Sequence, residues 1–146
     1  MMPPHEEDVG TLKDVVSLAL EKSAGELNDA KDLYEKGVAQ ERPVSIDSAA
    51  NRAYYSIFSA ITAIHALDGN HFRKHKDAIG IFNKNYVHTG IFPKRFGHEI
   101  HDAEVKRHTS DYDMTRHIAS EDVKQAIAFA EEFYRAVCSY CGEKGT

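Results

Sequence analysis

The sequence predicts an all-α protein, an antiparallel up-and-down bundle of about five helices. Apolar residues recur at helical spacing through most of the chain, no stretch shows the alternation typical of a strand, and the connections between periodic runs are short. Short connections favour antiparallel neighbours. At 146 residues the chain suits one domain. We expect a single domain over residues 1–146, with its core at about residues 12–140.

The first helix is predicted over residues 9–37. Apolar positions such as Leu12, Val16 and Leu27 recur there with charged residues between them, which is typical of an amphipathic helix. Gly37 is predicted to end this helix in a left-handed cap, because glycine adopts that conformation without steric cost.

The second helix is predicted over residues 48–67 and is the most apolar stretch of the chain. Its apolar stripe is too broad for a helix with one solvated face, which predicts a central position in the bundle. Asp47 or Ser48 offers a short side-chain oxygen for the unpaired N–H groups at the start of the helix. Turn-forming residues at 68–70 are predicted to end it.

Three further helices are predicted in the second half of the chain. The third spans residues 76–88, and the fourth spans residues 94–108 after Pro93, which suits a first helical turn. Residues 109–119 carry no helical period and are predicted to form a connection. The fifth, residues 120–141, begins at a serine suited to the N-cap, followed by two acidic residues that complement the helix dipole.

Composition and charge narrow the classes of function. The net charge is −5 with nine histidines left uncounted, so a generally basic nucleic-acid-binding surface is excluded and any anion site must be a local patch. Residues 1–8 are polar and acidic, which is unlike a secretory signal, and no window is apolar enough to span a membrane. We therefore expect a cytoplasmic protein that makes no membrane contact.

We predict neither a metal nor a cofactor. Cys138 and Cys141 lie near the end of the last helix, where the dipole disfavours a thiolate, and a zinc site would need two more ligands from elsewhere. His98 and His101 share a helical face and could bind a transition metal together with a carboxylate from another helix. The alternative, a solvated pair of histidines, is favoured.

Residues 107–112, Arg-His-Thr-Ser-Asp-Tyr, are the main candidate for chemistry. A guanidinium group can bind a phosphate through two hydrogen bonds, and a neighbouring imidazole can exchange a proton near neutral pH. Lys106, Arg116 and His117 lie close by in sequence and are candidate phosphate contacts. The structural alternative is that the cations complement a helix end and that Asp111 pairs with Arg107 or caps a turn.

Two other basic features are candidates for nucleic-acid contact. Arg52 is a cation on the most apolar helix, so it needs a partner or a wet cleft. The basic segment at residues 73–76 could contribute to a phosphate-binding patch, although a solvated charge run is the favoured interpretation. The pair Tyr54 and Tyr55 is interpreted as helix packing in preference to base stacking.

The segment Ala50-Asn51-Arg52-Ala53-Tyr54-Tyr55-Ser56-Ile57-Phe58 resembles the A-x-R-A-Y-Y-x-x-F segment of small HEPN-domain proteins. Residues 85–93 and an R-x-x-x-D-Y signature at residues 107–112 follow in the order that this family has. The resemblance covers about residues 12–140. It implies a helical bundle that forms a homodimer, in which the motifs of two copies share one cleft.

The resemblance also implies an activity. Many HEPN proteins are metal-independent endoribonucleases, often toxins paired with a minimal nucleotidyltransferase antitoxin. Their motif is an arginine, a polar residue, and a histidine five to seven positions after the arginine. Arg107 and His108 match the first two positions, but positions 112–114 hold Tyr, Asp and Met. Tyr112 is a poor base, because an unperturbed phenol has a pKa near 10, so His108 or His117 is the expected substitute.

These implications give each candidate residue a role at an RNA or nucleotide site. Arg107 is expected to bind the scissile phosphate and Asp111 to fix Arg107. His108 would orient the substrate or exchange a proton, and Tyr112 would contact the nucleotide or accept a modification from the partner. The binding contacts are expected from Arg52, Lys106, Arg116 and His117. The alternative function is a catalytically silent module that binds a minimal nucleotidyltransferase.

Overall fold

The computed structural model describes the backbone of residues 4–113 and 115–145, and the side chains of residues 12–113 and 115–144. Within those ranges it contains helices and no strand, which confirms the predicted all-α bundle. The five α-helices are α1 (Pro4–Ala39), α2 (Pro43–Leu67), α3 (His75–Phe82), α4 (Arg95–Tyr112) and α5 (Ser120–Gly145). A π-helical turn, Asn83–Val87, continues α3.

Helix α2 is the centre of the bundle, as its broad apolar stripe predicts. It packs against all four other helices, most extensively against α1. Many of its buried positions are alanine, among them Ala49, Ala53 and Ala60. Small side chains at a helix contact allow the two axes to lie close together, so α1 and α2 form a tight pair on which the other helices pack.

Aromatic side chains fill the other side of the core, between α3, α4 and α5. Phe133 on α5 lies 5.5 Å from Phe82 and 5.7 Å from Phe96, measured between ring centroids, and both contacts are edge-to-face. This geometry is favoured by the ring quadrupoles. Because Phe96 is in the first turn of α4, the cluster fixes where α4 begins.

The predicted left-handed cap at Gly37 is wrong. Helix α1 continues to Ala39, and the positive φ angle of this connection, 52°, belongs to Glu41. Gly37 instead allows a close approach to α2, since an added Cβ would lie 2.6 Å from Cγ1 of Ile46. The glycine is therefore explained by packing between helices.

The predicted start of α2 at Asp47 or Ser48 is also wrong. The helix begins at Pro43, because proline suits the first turn of a helix. Asp47 binds elsewhere: its Oδ1 accepts a hydrogen bond from the backbone N–H of Ile118 at 2.9 Å. This carboxylate ties the start of α2 to the segment between α4 and α5.

Helix α4 extends to Tyr112, so the predicted end near His108 and the predicted connection from residue 109 are wrong. Tertiary and local bonds hold the last turn. The Thr109 hydroxyl donates to a carbonyl one turn earlier at 3.1 Å, and the Ser110 hydroxyl donates to the Asp47 carbonyl at 3.1 Å. The candidate motif consequently lies on a helix, with residues 107 and 111 one turn apart.

The last helix continues past its predicted end at about residue 141 and reaches Gly145. Among the residues that the structure describes, none of the helices combines the length and the apolar surface that crossing a bilayer takes.

Candidate functional site

Arg107 is held between α4 and α2. Its guanidinium carbon lies 4.9 Å from the centroid of the Tyr54 ring, and its Nη1 donates to Oδ2 of Asp111 at 3.2 Å. The side chain is 19% exposed, so most of it is withdrawn from solvent. An arginine fixed by a ring on one side and a carboxylate on another has lost most of its rotamer freedom before any ligand arrives.

Asn51 on α2 completes the link between the two helices. Its Nδ2 donates to Oδ1 of Asp111 at 2.7 Å, so the carboxylate is bound from both helices. Two atoms at this junction, Nε of Arg107 and Oδ1 of Asn51, are enclosed and make no hydrogen bond within the described residues. Because an unpaired buried polar group costs about 1–3 kcal/mol, such atoms mark a place where stability is not optimised.

The buried Tyr54 connects Arg107 to a histidine. The Tyr54 hydroxyl lies 3.0 Å from Nδ1 of His75, the first residue of α3, and the His75 ring stacks on Phe58 at 3.7 Å between centroids. Burial raises the pKa of Tyr54 to about 12, with Glu104 adding to the rise and Arg107 opposing it. The phenol therefore stays protonated at neutral pH.

Burial also lowers the pKa of His75 below its usual range. The Arg107 charge adds to this shift, and the Glu104 charge opposes it. A histidine shifted in this direction is predominantly uncharged at pH 7. The Arg107 cluster, which consists of Asn51, Tyr54, His75, Arg107 and Asp111, thus places a fixed cation and a neutral imidazole around one neutral phenol.

His108 and Tyr112 lie exposed at the same end of α4. Their ring centroids are 4.7 Å apart, and Tyr112 is 67% exposed. His108 and Arg107 line a recess of about 320 Å³ together with Glu104, Val105 and Thr109. An exposed imidazole is therefore available beside the fixed guanidinium.

A second groove adjoins the cluster and has a volume of about 420 Å³. It shares Asn51 and Asp111 with the Arg107 junction and also includes Arg116 and His117. Nδ1 of His117 lies 2.5 Å from Oδ2 of Asp47, and Nε of Arg116 lies 2.9 Å from a carboxylate oxygen of Asp113. The structure thus brings both residues close to the 107–112 motif.

Comparison with known proteins settles the family. The HEPN domain matches the chain over residues 16–141. The chain belongs to the HEPN domain family. This result confirms the resemblance that the three motifs indicate.

Two similar proteins support this assignment. The chain is 34% identical over 111 residues to a "UPF0332 protein" of Thermotoga maritima, which covers 76% of this chain and 79% of that protein. It is 27% identical over 108 residues to a "putative toxin" of Methanocaldococcus jannaschii, which covers 74% of this chain and 69% of that protein.

This HEPN protein lacks the expected histidine at the described positions after Arg107. Positions 112 and 113 carry Tyr112 and Asp113, and Met114 lies outside the described residues. The histidines near the motif come from elsewhere: His108 is adjacent to Arg107 and His117 lies in the neighbouring groove.

Two predicted binding residues lie on other faces. Arg52 forms an ion pair with Glu26 of α1 at 2.9 Å, which provides the partner that a cation on this helix needs. Lys106 lines a small groove between α4 and α5 with Gln125 and Phe129. Neither residue contacts Arg107 in this arrangement.

Three residues of the cluster were not expected from the sequence. Asn51 and Tyr54 are part of the 50–58 segment, and their i, i+3 spacing places them on one face of α2. That spacing is a signal that could have identified them. His75 belongs to the basic segment at residues 73–76, but its contact with Tyr54 could not be predicted, because it depends on the path of the connection between α2 and α3.

The described residues contain no group of three or more His, Cys, Asp or Glu side chains arranged to bind a metal. His98 and His101 are exposed on α4. Both cysteines are free thiols, and burial raises the pKa of Cys141 to about 11. A thiol with this pKa is protonated and unreactive at neutral pH.

Proposed function

We propose that this HEPN protein binds RNA at Arg107 and cleaves it as a metal-independent endoribonuclease, acting as a homodimer. One observation carries the proposal: Arg107 is immobilised by Tyr54 and Asp111, yet part of its side chain stays exposed in the recess that it lines with His108. A preorganised cation with unused donors is suited to stabilising charge on a phosphate in the transition state.

The neighbouring side chains supply the remaining chemistry. Cleavage by a ribose 2′-hydroxyl requires proton transfer near neutral pH and positive charge on the phosphate. His108 is the exposed imidazole beside Arg107, Asp111 fixes the guanidinium, and Tyr112 is positioned to contact a nucleotide. These roles are supported by the position of all three residues on α4, within five residues of Arg107.

The flanking contacts are proposed for Arg116 and His117, because both line the groove that adjoins the Arg107 junction. Arg52 and Lys106 face α1 and α5, so the proposal gives them no direct contact with the scissile phosphate.

The family resemblance implies the homodimer, and the charges at the site support it. Asp111 offsets the charge of Arg107 in one protomer, and the whole chain carries a net charge of −5. A second copy would add a second Arg107 to the same cleft and raise the local positive charge that a polyanion needs. A solution mass of two chains is therefore part of the proposal.

A second candidate function is a catalytically silent module that binds a minimal nucleotidyltransferase. The high exposure of Tyr112 favours it, because this phenol is accessible to a partner enzyme. The similarity to a "putative toxin" supports a toxin role and fits either candidate.

An RNA cleavage assay in EDTA tests the proposal. Labelled RNA is incubated with wild type, Arg107→Ala and the matched control Arg95→Ala. Arg95 lies on the same helix and pairs with Glu99 and Glu132, away from the junction. Cleavage by wild type and the control, with loss in Arg107→Ala, supports the nuclease. Absence of cleavage by wild type at high protein concentration overturns it in favour of the silent module.

A further inference from the structure

His75 is held in one orientation beside Tyr54. Its Nδ1 lies 3.0 Å from the Tyr54 hydroxyl, and its ring stacks on Phe58 at 3.7 Å. A hydrogen bond at one nitrogen and a ring against one face together fix the imidazole plane. Nε2 makes no hydrogen bond within the described residues. One nitrogen of a fixed, half-buried imidazole is therefore free to bind a ligand.

We propose that His75 is the proton acceptor of the RNA-cleaving site, supplying from α3 the imidazole that α4 lacks at positions 112 and 113. This inference rests on the proposed nuclease function and assigns one further catalytic residue to it. His108 would then act as the proton donor, so two different imidazoles would serve the two halves of the reaction.

Arg107, the proposed phosphate-binding residue, and His75 both lie against Tyr54. The Arg107 guanidinium lies 4.9 Å from the centroid of the phenol ring, and the His75 ring centroid lies 6.0 Å from it. In RNA, the carbon that carries the 2′-hydroxyl is bonded to the carbon that carries the 3′-phosphate. The proposal requires a single ribose 3′-phosphate to present its phosphate to Arg107 and its hydroxyl to His75, which both lie against the Tyr54 ring.

The surroundings of His75 favour the tautomer and the charge that a proton acceptor requires. For Nε2 to present a lone pair, Nδ1 must carry the proton and donate it to the Tyr54 oxygen. The titratable or charged groups that act on His75 or on its phenol partner lie on two helices. They are Tyr54 and Tyr55 on α2 and Glu104 and Arg107 on α4. With burial and Arg107 outweighing Glu104, the pKa of His75 is lowered, so the ring is neutral at pH 7.

The reaction balances without a further reactant. Nε2 of His75 takes the proton of the 2′-hydroxyl, and the resulting oxygen attacks phosphorus. The bond between phosphorus and the 5′-oxygen breaks, and that oxygen takes a proton from the His108 imidazolium. The products are a 2′,3′-cyclic phosphate and a 5′-hydroxyl, and no atom is oxidised or reduced.

The pH dependence of cleavage tests this assignment. Rates are compared for wild type, His75→Gln and the control His71→Gln, an exposed histidine in the connection before α3. The wild-type rate should rise with pH through an ionisation below pH ~6.5, the usual histidine value. His75→Gln should lose this rise and about 100-fold in rate, and His71→Gln should keep both. An unchanged profile in His75→Gln overturns the assignment.

The outcomes separate this inference from the proposed function. If wild type cleaves and Arg107→Ala does not, while His75→Gln cleaves like wild type, only the role of His75 is contradicted. If wild type does not cleave at all, the nuclease function and the role of His75 are both contradicted. Should His75→Gln not fold, imidazole NMR of wild type replaces it. An uncleavable 2′-O-methyl oligonucleotide should shift the Nε2 signal of His75 and leave exposed His98 unchanged; an unmoved His75 signal overturns the role.

Discussion

Two of the polar contacts of helix α2 differ in one respect. Towards α1, the Ser56 hydroxyl donates to the Ser23 carbonyl at 2.8 Å and the Ser23 hydroxyl donates to the Ser56 carbonyl at 2.7 Å. Both serines are fully buried, and their hydroxyl oxygens lie 3.2 Å apart. Towards α4, the junction of Asn51, Arg107 and Asp111 leaves two enclosed polar atoms unpaired within the described residues.

The difference separates a structural contact from a candidate site. Polar groups that satisfy each other inside a protein stabilise the pairing of two helices and retain no capacity for a ligand. Arg107, held in place but still partly exposed, retains that capacity, and the unpaired atoms beside it are a cost in stability. Mutations at the two contacts should therefore affect different quantities: stability at the serine pair and activity at Arg107.

The largest effect is expected for Arg107→Ala on activity. Loss of one preorganised donor at a transition-state charge lowers the rate by about 100- to 1,000-fold. Stability should change by less than about 1 kcal/mol, because the substitution loses the ion pair with Asp111 and the contact with Tyr54 but also removes an unpaired, enclosed Nε. Cleavage rates and urea unfolding measure the two quantities. A 100-fold loss of rate corresponds to about 2.7 kcal/mol of activation free energy. A fall of that size in the free energy of unfolding would remove the distinction between the two contacts.

Ser56→Ala should show the opposite pattern. It removes the hydrogen bond to the Ser23 carbonyl in a buried site, so the free energy of unfolding should fall by about 2 kcal/mol. RNA cleavage should stay within about twofold of wild type, because the rate follows contacts made at the reacting phosphate. Ser59→Ala, at a half-buried serine on the same helix, is the control and should change stability by less than about 0.5 kcal/mol.

A pair of glycines on α1 tests how tightly α1 packs against α2. Gly37→Ala places a Cβ against Ile46 and should lower the free energy of unfolding by at least about 1 kcal/mol. Gly25 lies in the same helix, and an added Cβ there meets nothing within 4 Å. Gly25→Ala should therefore raise stability by about 0.5–1 kcal/mol. Equal effects at the two positions, measured by urea unfolding, would contradict the close approach.

The helices themselves could be predicted because apolar residues recur in the sequence with the period of a helix. The end of α4 could not, because Thr109, Ser110 and Asp111 have weak helix propensity and bonds to α2 override it. The role of Asp47 could not be predicted either. A short acidic residue before an apolar run is a typical N-cap, and the actual partner of Asp47, the backbone N–H of Ile118, is distant in sequence.

The candidate site was predictable only in part. The motif resemblance located residues 107–112, and the i, i+4 spacing explains the pairing of Arg107 with Asp111. The contribution of His75 depends on how the α2–α3 connection folds over Tyr54, which no local pattern encodes.

The most direct measurement of the central claim follows the arginine Nε–H signals of labelled protein by NMR during titration with an uncleavable 2′-O-methyl oligonucleotide. If RNA binds through the preorganised guanidinium, the Arg107 signal shifts and saturates while the signal of Arg95, on the same helix, stays in place. An Arg107 signal that does not move while other residues report saturated binding would contradict the account.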